Sequence, residues 1–205
     1  MFVIIYEMVV SNKLQTDSEL ITEILNGSQA AMEILARRHY EAVFAYVYRQ
    51  TGDYHTASDV TQDIFIKMMK GLYTYREREK FKSWLFRIAV NCCRDSYRCA
   101  SARTAREVEL DADSLGGQSN TWDIFSKSAE RENIQEALDF LPEFQKEVVL
   151  LRFYHDLKLK EIAGITGSGE ATVKSRLYQA LEKLKKRLLA GEGELSANKK
   201  NRFKP

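Results

Sequence analysis

The sequence predicts an all-α protein with two helical domains joined by a flexible acidic linker, and three observations lead to this prediction. The 205 residues include only two prolines and ten glycines, about half the usual share of roughly 12%, which disfavours turn-rich β-sandwiches and Gly/Pro-rich disordered chains. Apolar residues recur at helical spacing in both halves of the chain, and nothing in the first four predicted helices alternates with the period of a strand. An acidic stretch with a glycine pair, EVELDADSLGGQSN, separates the two halves.

Four helices with short connections are predicted in the N-terminal half. Asp17 is expected to cap the first helix, which Asn26-Gly27 ends, and Ser28 opens the second helix, which Gly52-Asp53 ends. Apolar residues at steps of three and four mark the buried stripe of each helix. The predicted helices cover 18–25, 28–51, about 56–70 and about 81–100.

Helices resume in the C-terminal half, after the acidic stretch. They are predicted at about 129–140, from Pro142 through Tyr154, near 158–166 and over 170–188, with Pro142 in a first turn, where its missing N–H is not needed. The predicted domains are an N-terminal extension (1–16), a helical domain (17–100), a linker (101–128), a second helical domain (129–190) and a disordered tail (191–205).

The start of the chain and the cysteines favour a cytoplasmic protein. The apolar run Met1–Val10 is interrupted by Glu7 and is too short for a membrane span. It also lacks the basic residue that precedes the apolar segment of a signal peptide. Met8 is an alternative start. Cys92, Cys93 and Cys99 cluster instead of spreading as a disulfide framework would. We interpret Cys92 and Cys93 as small buried hydrophobes. A thiol sensor or a zinc site in this trio is the alternative; it needs a fourth ligand, and no histidine is near in sequence.

The segment LKLKEIAGITGSGEATVKSRLYQALEKLKKRL has the pattern of a helix-turn-helix. A short helix meets a turn that contains Gly167, Ser168 and Gly169, and a longer helix follows. Its predicted buried stripe consists of Val173, Leu177, Leu181, Leu184 and Leu188. Thr166 and Ser168 depart from the pattern, because such turns usually bury apolar side chains.

The opposite face of the longer helix carries the residues that reach base edges in a major groove. These are Thr172, Lys174, Ser175, Tyr178 and Gln179. A lysine serves guanine or phosphate, and a glutamine can pair bidentately with adenine. The candidate phosphate contacts are Lys158, Lys160, Arg176, Lys183, Lys185, Lys186 and Arg187. An ordinary helical hairpin is the alternative interpretation.

The charge distribution agrees with two polyanion contacts. Residues 76–106 carry nine basic and three acidic side chains, residues 158–187 carry eight and three, and residues 107–143 carry two and ten. Two basic blocks on either side of an acidic connector indicate two nucleic-acid contacts or two solvated helix surfaces, and charge alone leaves both open.

Basic and aromatic residues interleave in GLYTYREREKFKSWLFRIAVNCCRDSYR, a pattern typical of single-strand binding, where rings stack on bases and cations hold the backbone. Tyr73 and Tyr75 lie in the predicted loop and are the better stacking candidates. Phe81 and Trp84 lie on the apolar stripe and are assigned first to the core. Asn91 shares a face with neighbouring arginines.

The preceding helix, ASDVTQDIFIKMMK, presents Asp59, Gln62, Asp63 and Lys67 opposite its apolar stripe. Asp59 and Asp63 are four residues apart, but no histidine or further acid lies within a turn, so a metal site is disfavoured. A docking face for a protein partner or a solvated face remain as interpretations.

Together these motifs resemble bacterial sigma factors of the extracytoplasmic-function (ECF) type, within the sigma-70 superfamily. ASDVTQDIFIKMMK and FKSWLFRIAVNCCRDSYR are similar to sigma region 2, and LPEFQKEVVLLRFYHDLKLKEIAG with ATVKSRLYQALEKL is similar to region 4. The resemblance covers about 17–100 and 129–188. It implies a transcription initiation factor that binds core RNA polymerase, recognises −10 and −35 promoter elements and promotes melting.

The resemblance also implies roles for individual residues. The residues expected to bind core polymerase are Asp59, Gln62, Asp63 and Lys67. Those expected at the −10 element are Tyr73, Tyr75, Arg76, Lys80, Lys82, Ser83, Trp84, Arg87, Asn91, Arg94 and Arg98. Those expected at the −35 element are Lys160, Glu170, Ala171, Thr172, Lys174, Ser175, Arg176, Tyr178, Gln179 and Lys183. Gln179 stands where many relatives have arginine.

The partners implied by the resemblance are the polymerase β′ coiled coil and β flap, promoter DNA and an anti-sigma factor tethered to the membrane, which would hold the protein at its inner face. No cofactor, metal or small-molecule substrate is expected. An enzyme is disfavoured because His39, His55 and His155 are scattered and no phosphate loop or nucleophile elbow occurs. The rival hypothesis is a stand-alone helix-turn-helix regulator with an N-terminal sensor or dimerisation domain.

Overall fold

Short polar side chains start the N-terminal helices of the computed structural model. Thr16 Oγ1 accepts a hydrogen bond from the backbone N–H of Glu19 (3.3 Å), and the Glu19 carboxylate accepts one from the N–H of Thr16 (2.6 Å). Ser28 and Asp53 cap the next two helices, since their side chains accept from N–H groups three residues ahead. The first cap is therefore Thr16 and not Asp17 as predicted.

The structure describes residues 15–76, 80–107 and 129–201, and within these ranges it contains helices and no strand. The first four helices are α1 (Asp17–Leu25), α2 (Gln29–Thr51), α3 (Tyr54–Gly71) and α4 (Phe81–Glu107), with a 3-10 turn at Leu72–Thr74. The remaining ones are α5 (Ala129–Asp139), α6 (Glu143–Val149), α7 (Leu159–Thr166) and α8 (Glu170–Asn201). A π-helical turn, Leu150–Tyr154, continues α6.

Helices α1 to α4 pack around one core, as the apolar stripes predicted. The buried side chains include Leu20, Leu35, Ile64, Met68 and Leu85, each fully removed from solvent. Burial of such side chains is the main driving force for this packing, about 1.5–3 kcal/mol each. The prediction of a four-helix N-terminal unit is confirmed.

Helices α5, α6, α7 and α8 form the second unit. Val148, Ile162, Val173 and Ala180 are its fully buried residues on these helices. Gly167 follows α7 with φ +66°, a left-handed conformation that favours glycine. Leu181 is more than a third exposed, so the predicted stripe of α8 is wrong at this position, and Ala180 takes the buried place.

Two helices are longer than the sequence pattern predicted. Helix α4 continues to Glu107, into the predicted linker, and α8 continues to Asn201, into the tail predicted to be disordered. The extension of α4, SARTARE, contains alanine, arginine and glutamate, which have high helix propensity. The extension of α8, LAGEGELSANKKN, includes two glycines and two asparagines, so propensity did not predict it. Most of the predicted N-terminal extension and linker lie outside the described residues.

The two units pack against each other along α4. This helix lies against α7, and the C-terminal end of α2 meets the second unit near α6 and the π-helical turn. The buried apolar residues of both units therefore join in one core cluster. This packing decides which of the predicted DNA-binding side chains face solvent.

Candidate nucleic-acid interface

The helix-turn-helix consists of α7, the turn at Gly167–Gly169 and the first half of α8. The backbone N–H of Lys158 donates to the Glu161 carboxylate (2.8 Å) and fixes the start of α7. The exposed side chains of α8 that face away from the core are Glu170, Ala171, Thr172, Lys174, Ser175, Tyr178 and Gln179. This face is polar and open over two helical turns, as binding in a major groove requires.

Several side chains of this face are already held in place. Lys174 Nζ lies 5.9 Å from the centre of the Tyr178 ring, a cation–π contact. Arg176 Nη1 donates to Ser168 Oγ (3.0 Å), and its guanidinium lies 5.0 Å from the Phe144 ring centre. Arg176 is therefore directed toward the turn and α6, whereas Lys160 is exposed and Lys183 is half-buried.

The basic face of α4, predicted to hold −10 DNA, contacts the second unit. Lys82 Nζ donates to the carbonyl oxygen of His155 (2.6 Å), and Arg87 Nε donates to that of Gly164 (3.2 Å). Arg94 Nη1 donates to the carbonyl oxygen of Thr166 (3.3 Å). Gly164 and Thr166 lie in the last turn of α7, whose carbonyls lack helical partners and attract cations.

Arg94 also binds Glu147 of α6 through two hydrogen bonds. Nε and Nη2 donate to the two carboxylate oxygens at 3.0 and 2.8 Å, the bidentate geometry that makes an arginine–carboxylate pair strong and specific. The Glu147 side chain is 1% exposed. Burial raises the pKa of Glu147, and the Arg94 guanidinium opposes that rise.

A second group of polar contacts joins α2 to the second unit. Lys146 Nζ, which is buried, donates to the carbonyl oxygen of Gln50 (3.1 Å) and to the Asp139 carboxylate (2.6 Å). Gln135 Nε2 donates to the carbonyl oxygen of Arg49 (3.3 Å). The carbonyls that end α2 are thus satisfied by residues of α5 and α6.

His155 is buried between the two units. Its ring centre lies 4.3 Å from that of Phe86 and 5.7 Å from that of Tyr46, and its Nε2 has no hydrogen-bond partner among the described residues. Burial, with smaller contributions from Lys82 and Arg49, lowers the pKa of His155 to about 4. The imidazole is therefore neutral in the packed state near neutral pH.

Sequence patterns missed the residues that hold the units together. Glu147 and His155 were assigned no site, although both are buried here. One signal in the sequence pointed to them: the charged residues Lys146 and Glu147 stand directly before the apolar run that continues α6. Charged side chains on a buried face usually have charged partners, so this pair predicts ion pairs with another segment.

The aromatic residues before α4 form a cluster instead of a row of free rings. Tyr73 is 71% exposed, as a stacking residue should be. Tyr75 is half-buried, with its ring centre 5.0 Å from that of Trp84 and 5.9 Å from that of Phe81. Trp84 lies so close to Gly71 that a Cβ there would be 3.0 Å from its ring. Phe81 is 5% exposed, so its assignment to the core agrees with the structure, whereas Trp84 is half-buried and packs against that core.

The other predicted −10 residues differ in exposure. Arg76, Lys80, Asn91 and Arg98 are exposed, and Lys80 pairs with Glu161 of α7 (3.3 Å). Ser83 is 5% exposed, so it is covered in this packing of the two units, and its role as a DNA contact stays a prediction.

The predicted docking face of α3 is exposed. Asp59, Gln62 and Asp63 point away from a core side that contains Val60 and Ile64. Lys67 Nζ donates to Cys92 Sγ of α4 (3.3 Å). This hydrogen bond raises the pKa of Lys67, so Lys67 serves partly to join α3 to α4.

The cysteines have the environment of buried hydrophobes, apart from Cys99, which is exposed. Burial raises the pKa of Cys92 above its ordinary value despite the neighbouring Lys67, and burial raises that of Cys93 strongly. Both thiols are thereby kept protonated and unreactive.

Within the ranges that the structure describes, no cluster of side chains is suited to hold a metal ion. None of the helices in those ranges has the length and apolar character that a membrane span requires.

Family models match both units. The model described as Sigma-70 region 2 matches residues 35–103, and the model described as Sigma-70, region 4 matches residues 131–184. The first match contains α3, the aromatic cluster and most of α4. The second contains the helix-turn-helix.

Individual proteins are similar over most of the chain. RNA polymerase sigma factor SigV of Bacillus subtilis strain 168 is 35% identical over 144 residues, which are 70% of this chain and 80% of that protein. The ECF RNA polymerase sigma-E factor of Escherichia coli strain K12 is 30% identical over 178 residues, 82% of this chain and 91% of that protein.

Two solved structures have the same fold. One is CnrH in complex with the cytosolic domain of CnrY, with 26% identity and a TM-score of 0.63 over 85% of this chain and 97% of that chain. The other is the sigma factor RpoE in complex with the anti-sigma factor NepR from Bartonella quintana, with 21% identity and a TM-score of 0.63 over 75% of this chain and 93% of that chain.

Proposed function

Because the chain belongs to the ECF RNA polymerase sigma factors, a class of transcription initiation factors, we propose that the structure represents its closed, DNA-free state. The observation that carries this proposal is the use of α4. Lys82, Arg87 and Arg94 bind the second unit through its backbone carbonyls and Glu147. The same cations cannot bind DNA phosphates at the same time.

In the open state, α4 and the loop before it bind the −10 element. Separation of the units frees the three cations for the backbone of a melted strand, and Tyr73 offers an exposed ring for stacking. The cluster of Tyr75, Phe81 and Trp84 supports the loop. Extruding a base costs a few kcal/mol, which a preformed aromatic surface offsets.

The helix-turn-helix binds the −35 element as a duplex. Its exposed polar face on α8 contains lysine, serine, tyrosine and glutamine side chains that match groove contacts. Surface lysines around α7 and α8 supply phosphate contacts, so binding weakens as the salt concentration rises.

Core RNA polymerase is the partner that opens the closed state. The exposed polar face of α3, with Asp59, Gln62 and Asp63, is the proposed docking surface for the β′ coiled coil, and the second unit docks on the β flap. The protein itself catalyses no reaction in this proposal, since the polymerase supplies the chemistry.

An anti-sigma factor is the proposed regulator, held at the inner face of the membrane, with the sigma factor in the cytoplasm. Support comes from the similar solved structures, which are a CnrH–CnrY complex and a sigma–anti-sigma complex. Such a partner would act by stabilising the closed packing or covering the docking face of α3.

Run-off transcription from a genomic template library tests the proposed function. Purified core polymerase with this protein should produce promoter-dependent transcripts that core polymerase alone does not produce. Absence of such transcripts with folded protein, combined with tight binding of duplex DNA in the absence of polymerase, would favour the stand-alone regulator instead.

A further inference from the structure

A buried amide holds one residue of the DNA-facing surface. Gln145 lies on α6 and is only 9% exposed. Its Nε2 donates to Oε1 of Gln179 on α8 (3.0 Å), and Gln179 Nε2 in turn donates to Ser175 Oγ (3.3 Å). Gln179 itself is exposed. Its amide is therefore oriented from inside the protein before any DNA arrives.

Stability alone does not account for an amide at position 145. The Oε1 of Gln145 is buried and has no hydrogen-bond partner among the described residues, and a buried acceptor without a partner costs free energy of folding. A leucine of similar volume would fill the same place without that cost. Features that lower stability in this way tend to occur at functional positions.

The orientation limits what Gln179 can recognise. A glutamine amide has one acceptor oxygen and one NH2 group, and bidentate pairing with adenine needs both to face the base. Here one lone pair of Oε1 already accepts from Gln145, which competes with the N6–H of adenine for this oxygen, and Nε2 keeps one N–H besides its bond to Ser175. Major-groove acceptors that fit a single N–H donor are N7 and O6 of guanine, N7 of adenine and O4 of thymine, whereas cytosine offers only a donor.

We propose that Gln145 is a positioning residue that makes Gln179 contact one base pair of the duplex element as a single N–H donor. Guanine, thymine and adenine are then accepted alike and cytosine is rejected, in place of the bidentate preference for adenine that a free glutamine has. The inference rests on the proposed function, because it assumes that this face of α8 enters the major groove. Gln145 itself does not touch DNA.

The test uses transcription by reconstituted holoenzyme from promoters with a randomised −35 element, read by sequencing. Full-length wild type, Gln145→Leu, Gln179→Ala and the double variant are compared, and the contacted position is the one at which Gln179→Ala alters base preference. Wild type should prefer guanine, thymine or adenine there by about fivefold or more over cytosine, with no strong preference among the three. Gln145→Leu should raise adenine above guanine and thymine by about fivefold, because the released amide can pair with adenine through both of its groups.

Thermal unfolding separates positioning from a structural role. Gln145→Leu should melt at the wild-type temperature or above it, because the buried acceptor is gone. The base preference of the double variant should equal that of Gln179→Ala alone, since both substitutions act through one contact. Additive effects of the two substitutions on base preference would contradict the proposal.

The outcomes remain distinguishable from failure of the proposed function. If no template yields a transcript, the sigma assignment of this face fails and the inference fails with it. If transcription proceeds but wild type prefers adenine over guanine and thymine at the contacted position, or Gln145→Leu leaves the base preference unchanged, the inference alone is overturned. A lower melting temperature with unchanged preference would assign Gln145 a structural role only.

Discussion

Arg94 and Glu147 are 53 residues apart in sequence and lie on different units, yet their side chains form two parallel hydrogen bonds in a nearly dry contact. Phe144 lies beside them, 5.4 Å from the Arg94 guanidinium. The same arginine was predicted from sequence to hold promoter DNA. One cation thus connects the packing of the two units to nucleic-acid binding.

Glu147→Gln should loosen the closed state. Removing one partner of a buried pair costs about 3–5 kcal/mol, because the other charge stays buried and unpaired, whereas the DNA-binding cations of α4 are unchanged. We expect a larger radius of gyration in solution scattering and tighter binding of a single-stranded −10 oligonucleotide without polymerase. Glu33→Gln is the control, since the Glu33–Arg37 pair is exposed and should change stability by less than about 0.5 kcal/mol. Equal behaviour of the two variants would contradict the prediction.

Acid should weaken the closed packing through His155. The pKa of His155 in the packed state is about 4, below the unfolded value of about 6.5. The contribution of the neutral imidazole to the free energy of unfolding is therefore fully present above pH 6.5. It is lost as the pH falls toward 4, because the unfolded chain binds the proton more tightly. The loss amounts to at most about 1.4 kcal/mol per pH unit. Denaturant titrations of wild type and His155→Phe between pH 4 and 7 measure it.

Burial raises the pKa of Glu147, so its protonation changes stability with pH in the direction opposite to that of His155. This effect is present in both proteins, and the difference between the two profiles therefore isolates His155. Parallel profiles for wild type and His155→Phe would show that the buried imidazole does not control the pH dependence.

Local patterns predicted the helices but not how the units meet. Ser28 and Gly52 mark helix ends by their own backbone preferences, so both boundaries followed from the sequence. The contact of Arg94 with Glu147 depends on packing between distant segments, which periodicity does not encode. The burial of Ser83 depends on packing in the same way, because neighbours in both units define which face of α4 is exposed.

Two glycines near the turn of the helix-turn-helix should respond oppositely to alanine. Gly167 has φ +66°, so Gly167→Ala strains the backbone and should destabilise the second unit by about 1–2 kcal/mol. Gly164 lies within α7, and a Cβ there meets only Arg87 Nη2, at 3.8 Å. Gly164→Ala should therefore stabilise the protein by about 0.5–1 kcal/mol. Chemical denaturation of both variants checks the signs; a shared sign would contradict the turn geometry.

Thr166→Val should stabilise the protein. The Thr166 hydroxyl is buried without a hydrogen-bond partner in the described part of the chain, and valine has nearly the same shape without the desolvation cost, which is about 1–3 kcal/mol. The carbonyl that accepts from Arg94 is retained. Thr51→Val is the matched comparison, because the Thr51 hydroxyl donates to the Val47 carbonyl (3.0 Å). Calorimetry should show a higher Tm for the first variant and an equal or lower Tm for the second.

The central claim is that α4 exchanges the second unit for promoter DNA when polymerase binds. Energy transfer between dyes at two exposed positions, Ala30→Cys on α2 and Lys186→Cys on α8 in a Cys99→Ser background, measures the separation of the units directly. We predict a high transfer efficiency for the free protein and a clear drop when core polymerase and promoter DNA are added. Unchanged transfer in complexes that initiate transcription would contradict the account.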